Sequence, residues 1–303
     1  MDAHAFQTLC TAVLALTFGL MWRATPTSGR QTFLQDAVVV AVGAWLAEET
    51  SILRYDFYHY GDVWWLMLDE VPALVVLIWA VVVLSSRAVV THAMPGLTGW
   101  RLALGVGLAV TVDASLVETV AVDARLLLDG ALAPEPRLWW WSEGGYLDVP
   151  LIGMLGWGAY AGAITWALDW ARTGGDTRVS RVLAAPVVAL GLTHVALVTL
   201  WWGGLRFVLR RPLPVEAVFI SFGLGLGLAA FLLRRRRHVG GLPPRTAVPR
   251  MLAAAVFVVL LVFSTREAVG WLWVHLAAVA IPYLALTDWQ ALTRRDLSAR
   301  AAR

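Results

Sequence analysis

The chain has 303 residues, 59% apolar and only 15% charged, with a mean hydropathy of +0.69 and a formal net charge of +3. A soluble domain averages roughly a quarter charged residues, so this composition excludes a soluble Rossmann enzyme, a disordered chain, a secreted disulfide scaffold and a nucleic-acid-binding module. Cys10 is the only cysteine and all 24 basic residues are arginine, which also excludes an internal disulfide, a lysine Schiff base and a P-loop lysine.

Blocks of low charge predict about nine spans, at 6–22, 33–52, 63–85, 100–122, 147–169, 182–203, 214–233, 248–264 and 268–287. Only Thr265-Arg266-Glu267 separates the last two, so eight spans is the alternative. The first block lacks a basic n-region and a small-residue cleavage site, and is expected to remain as a helix. The fold class read from this pattern is all-α: a single polytopic integral membrane bundle over 1–303. With nine spans and an outside N-terminus, 17 arginines fall on the inner side and 7, including Arg54, Arg125 and Arg266, on the outer side. The positive-inside rule therefore predicts N-out, C-in. The run Arg234 to Arg237 reads as a cytoplasmic stop after a helix.

The acidic residues gather at the opposite end. On this topology only Asp36, Asp169, Asp176, Asp288 and Asp296 fall in the inner half, a bias that the positive-inside rule does not require. Glu48 and Glu49 close the second span, Asp69 and Glu70 are read inside the third, Asp113 and Glu118 end the fourth, and Asp148 opens the fifth. An ionisable group at membrane depth costs roughly 2–3 kcal/mol and marks a functional site by default. Asp113 and Glu118 are five residues apart and are expected to point roughly the same way.

Two stretches repeat a pattern. Glu48-Glu49, Tyr58-His59-Tyr60, Asp69-Glu70-Val71-Pro72 and Trp79 are followed later by Glu118, Trp139-Trp140-Trp141, Tyr146, Asp148-Val149-Pro150 and Trp157. Each copy is a helix ending in an acid, an aromatic loop, a Val-Pro helix start and a tryptophan seven residues after the proline. This predicts a weak parallel repeat in helices two to five, with a site at the repeat interface. Trp139, Trp140 and Trp141 opposite Tyr58 and Tyr60 would form an aromatic mouth whose ring faces stabilise a cation.

Other chemistries lack their residues. His4, His59, His92, His194, His238 and His275 form no HxxxH or HxxHH cluster, and no DDxxD run is present, so di-iron and magnesium–diphosphate chemistry is disfavoured and no metal or cofactor is expected. Gly223-x-Gly225-x-Gly227 and Gly158-xxx-Gly162 read as close-packing faces rather than nucleotide loops.

Glu48, Phe57-Tyr58-His59-Tyr60 and Val71-Pro72, then Asp113, Glu118, Trp139-x-Trp141, Gly145-Tyr146, Val149-Pro150-Leu151 and Gly156-Trp157, resemble the carotenoid biosynthesis membrane proteins of bacteria and archaea, which include C50 carotenoid hydratases of the bisanhydrobacterioruberin type. The resemblance covers residues 36–170, while 171–303 carries no firm motif. Pro212-Leu213-Pro214-Val215-Glu216 faintly resembles the helix start of membrane lycopene cyclases. The loop after the first acid is shortened to Thr50–Asp56, and Ile152 or Gly153 stands where the family has asparagine.

The resemblance implies a multi-pass enzyme of the cytoplasmic membrane that adds water to the terminal isopropylidene double bond of a polyene, with membrane lipid and other carotenoid-pathway enzymes as neighbours. It implies Asp113 or Glu118 as proton donor, Glu48 or Asp69 positioning water, and Tyr58, His59, Tyr60, Trp139, Trp141, Tyr146 and Trp157 around the substrate. A carboxylic acid in an apolar setting stays protonated and can protonate an alkene. The same step followed by ring closure would make a cyclase. The rival class is a proton-coupled carrier or lipid-binding membrane protein.

Overall fold

The computed structural model describes residues 3–122, 138–142, 149–173, 175, 178–199, 223, 227, 228, 230, 231, 234, 235, 239–262 and 269–290. Eight long helices make up most of them: α1 (Ala3–Ala24), α2 (Arg30–Tyr55), α3 (Ala73–Ala93), α4 (Gly99–Ala121), α5 (Leu151–Arg172), α6 (Arg178–Ala196), α7 (Pro244–Val262) and α8 (Val269–Leu286). Among the described residues six helices are long and apolar enough to cross a membrane: α1 and α3 to α7. Helix α2 is the longest at 26 residues, about 39 Å at 1.5 Å per residue, but it carries Asp36, Glu48 and Glu49. The chain is an all-α membrane bundle. Most of the expected span at 214–233, the connection at 265–267, Tyr146 and Asp148 lie outside the described residues.

The third span is corrected by about ten residues. Residues 63–72 are not helical; α3 starts at Ala73, directly after Pro72 in an extended conformation (φ −63°, ψ 130°). Proline has no N–H to give, and it pushes the residue before it out of the helical region, so the helix starts there whatever the hydropathy upstream. Strands β2 (Met67–Leu68) and β3 (Val71–Pro72) pair upstream of it. Asp69 turns the chain between them with a left-handed φ of 57°. Asp69 and Glu70 are therefore exposed at a hairpin tip, not inside a helix. Helix α5 starts in the same way, at Leu151 after extended Pro150 (φ −71°, ψ 153°).

Two further short strands, β1 (Tyr58–Tyr60) and β4 (Trp139–Trp141), pair antiparallel with Tyr58 opposite Trp141, His59 opposite Trp140 and Tyr60 opposite Trp139. This register puts each strand's central residue opposite its counterpart in the other copy. A two-fold axis between α2–β1–α3 and α4–β4–α5 would produce that arrangement.

Helices α4 and α5 touch backbone to backbone. A Cβ on Gly107 would lie 2.7 Å from the Gly158 carbonyl oxygen, and one on Gly162 would lie 3.1 Å from that of Ala103. Gly158-xxx-Gly162 is thus a helix-packing face. The core around it includes Val40, Ala44, Val83, Val106, Val110 and Ile164.

Candidate functional site

The site sits where α2 and α4 end and α3 and α5 begin. Helix α2 terminates at left-handed Asp56, whose N–H returns to the Ile52 carbonyl at 3.0 Å, with the Phe57 N–H on Ser51 at 3.3 Å. This turn directs the chain into β1. Side chains alternate across a strand, so β1 and β4 each present two aromatics inward and one residue outward. Tyr58, Tyr60, Trp139 and Trp141 face the bundle. His59 and Trp140 pack against each other on the outer face with ring centroids 5.5 Å apart.

Each inward pair grips one buried carboxyl group. Tyr58 donates its hydroxyl to Glu48 Oε2, Tyr60 donates to the same oxygen at 2.9 Å, and the Trp79 indole donates to Oε1 at 2.7 Å. Trp139 and Trp141 donate to Glu118 Oε2 at 3.1 and 3.0 Å, and Trp157 donates to Oε1 at 2.6 Å. Trp79 and Trp157, each seven residues after its proline, pack against one another with centroids 4.3 Å apart and ring planes tilted by 37°. The strand pair thus supplies two donors to each acid, and the following helix supplies a third.

Both acids line one cavity of about 60 Å³, walled by Tyr58, Tyr60 and the four inward tryptophans. That is room for a few water molecules. Burial, reinforced by the Glu48 charge, pushes the Tyr58 and Tyr60 hydroxyls well above the ordinary phenol range. They stay protonated and act as donors to Glu48. Gly153 makes space for the wall: a Cβ there would lie 2.6 Å from the Trp141 ring.

The structure brings together Glu48, Glu118, Tyr58, Tyr60, Trp139, Trp141 and Trp157. Three expected members lie elsewhere. His59 is on the outer face, 3.0 Å from Asp56 and 3.3 Å from Ser142. Asp69 is at its exposed hairpin tip. Asp113 does not share the direction of Glu118, because five residues turn a helix by about 140° beyond a full revolution. It forms a buried ion pair with Arg250 of α7 instead. Arg250 also donates to Ser85 at 3.2 Å, Ser86 at 2.9 Å and Tyr283 at 3.4 Å. Arg250, counted among the inner arginines, is therefore a buried helix residue.

Trp79 and Tyr160 are cavity residues that the candidate set lacked. Trp79 carries the signal of its seven-residue spacing from Pro72, matched by Trp157. Tyr160 lies one helical turn beyond Trp157, bonds the Val40 carbonyl at 2.6 Å and meets the Trp79 ring edge-on at 5.0 Å; its sequence neighbourhood carries no comparable mark. Comparison with known proteins found no family model, no curated protein and no solved structure that matches the chain.

Proposed function

We propose that the protein is a membrane enzyme of carotenoid or isoprenoid biosynthesis that hydrates the terminal isopropylidene double bond of a long polyene by acid catalysis. The observation that carries this reading is the pair of buried carboxyl groups facing one small aromatic cavity. That cavity shares Ile152 and Leu197 with an apolar groove of about 610 Å³ between α4, α5 and α6, lined by Trp100, Leu104, Leu108 and Leu155. A linear hydrocarbon lying in the groove would place its end group against Ile152 and Leu197, which also wall the acid cavity.

In this reading Glu118 is the donor. Its three partners are indole N–H groups, which cannot accept a proton. Among the described residues, then, no bonded partner of Glu118 can take its proton, which is free to pass to what occupies the cavity. It adds to the less substituted alkene carbon and leaves a tertiary cation against the Trp79 and Trp157 rings. A cavity water attacks the cation, a C–O bond forms, and the water gives up one proton to Glu48. Glu48 sits between two phenols that can both donate and accept, so the proton returns to Glu118 through cavity water. Net addition is one H and one OH, with no other reactant consumed. Asp69 and Asp113 have no part in it.

The arginine distribution supports an outside N-terminus and an inside C-terminus, so a reporter fused after Arg303 is expected to be active only as a cytoplasmic reporter. Expression in cells that accumulate an acyclic carotene tests the activity. A pigment heavier by one water per reacted end is expected. An isomer of equal mass would replace hydration by cyclisation, and an unchanged pigment profile would remove the enzyme reading in favour of a carrier.

A further inference from the structure

A second cavity lies at the other end of the bundle, where α2 and α7 begin and α3 and α5 end. Its volume is about 600 Å³, and Arg87, Arg172, Arg245 and Asp36 line it. Arg172 is bonded to Asp36; Arg87 lies 3.7 Å from Asp36 and 3.9 Å from Asp169. Two carboxylates thus offset two guanidinium groups. Among the described residues no carboxylate lies within ion-pair distance of the third, Arg245. Among the described residues the cleft therefore carries an excess of positive charge, with Arg245 left without a carboxylate partner. Its remaining wall includes Met21, Phe33 and Leu84, an apolar surface beside a cation.

We infer that this cleft binds the headgroup of an anionic membrane phospholipid. The Arg245 guanidinium, which has no carboxylate partner among the described residues, matches a phosphodiester charge, with hydrogen-bond donors suited to its oxygens. The apolar wall takes the start of an acyl chain. Basic pockets between membrane helices bind anionic headgroups by the same means. Inorganic phosphate would satisfy the guanidinium but leave the Met21–Phe33–Leu84 wall facing water, which is why a lipid is the better occupant. The acid cavity at the opposite end plays no part, so this inference stands independently of the reaction proposed above.

The test uses the full-length protein in a neutral detergent, titrated with phosphatidylglycerol, phosphatidylcholine or inorganic phosphate while the thermal unfolding midpoint is followed. Ligand binding to the folded state raises that midpoint. Phosphatidylglycerol is expected to raise it, with phosphatidylcholine and phosphate ineffective at the same concentration. Arg245 is exposed, so Arg245→Gln should fold; it is expected to weaken the apparent affinity for phosphatidylglycerol about five-fold, the worth of one arginine at an anionic surface. Arg245→Lys, which keeps the charge, should restore most of it. Arg101→Gln removes another exposed arginine at the same end, one that lies over the Trp100 ring, and should leave the affinity unchanged. Equal weakening by Arg101→Gln and Arg245→Gln, or none by either, would overturn the site in favour of diffuse surface attraction. A phosphate effect equal to that of the lipid would overturn the lipid as occupant.

Discussion

Glu48 and Glu118 differ in what surrounds them more than in where they lie. Both are buried and, among the described residues, each accepts three hydrogen bonds, Glu118 from three indoles and Glu48 from two phenols and one indole. A hydrogen bond to a charged group is worth about 1.5–3 kcal/mol, so Trp157→Phe is expected to lower turnover roughly 10- to 100-fold while the protein still folds. On the outer face of the same strands, His59→Ala and Trp140→Phe should change turnover little. Pigment conversion per unit of membrane protein checks both, and equal losses on the two faces would contradict the alternation. The aromatic content of Tyr58-His59-Tyr60 and Trp139-Trp140-Trp141 was legible in the sequence, but the strand pairing that turns His59 and Trp140 outward was not, because three-residue strands leave too short a pattern to separate from a loop. The misplacement of Asp69 has a local cause. Hydropathy averages over many residues and does not register that Pro72 fixes a helix start, so a hairpin was hidden inside an apolar window.

At the scale of elements, the α4–α5 contact determines how closely Glu118 approaches Trp157. Replacing glycine by alanine in a helix interior ordinarily stabilises by up to about 1 kcal/mol. The sign should reverse at Gly107, where the new Cβ would meet the Gly158 carbonyl oxygen at 2.7 Å. Gly191 in α6 has open space around it and should follow the ordinary rule. Thermal unfolding of Gly107→Ala and Gly191→Ala, compared with the parent, is expected to shift the midpoint down and up respectively. Shifts of the same sign would mean that the backbone contact does not hold. Apart from the start of α3, the positions of the described helices were readable from apolar runs, and Gly158-xxx-Gly162 from its spacing. The partner face, Ala103-xxx-Gly107, has the same small-residue spacing, but spacing alone does not say which two faces meet; that emerges only once the helices are packed.

Across the whole molecule, the ion pair between Asp113 and Arg250 joins the C-terminal helices to the repeat. Removing one partner of a buried pair leaves an uncompensated charge and typically costs 3–5 kcal/mol. Asp113→Asn should therefore destabilise the protein strongly, whereas Asp113→Leu combined with Arg250→Met should recover much of the stability and retain turnover. Unfolding midpoints alongside conversion separate this structural role from a catalytic one; loss of turnover in a stable double variant would return Asp113 to the reaction. The depth of Asp113 in its helix marked it as important, but the sequence could not identify its partner 137 positions away. Arg250 lay in a stretch that resembled no motif. The shared spacing of acid, Val-Pro and tryptophan in the two stretches, in contrast, was visible in the sequence, and each stretch contributes one carboxyl group and its tryptophan to the acid cavity.

The central claim is that Glu48 and Glu118 carry out the chemistry together, and it is tested most directly by Glu48→Gln and Glu118→Gln in a carotene-accumulating host, with protein level and folding followed in parallel. General acid–base catalysis contributes typically 10²- to 10⁴-fold, so each variant is predicted to be present in the membrane, folded, and reduced in conversion by about that factor. Full conversion by both variants would contradict the account.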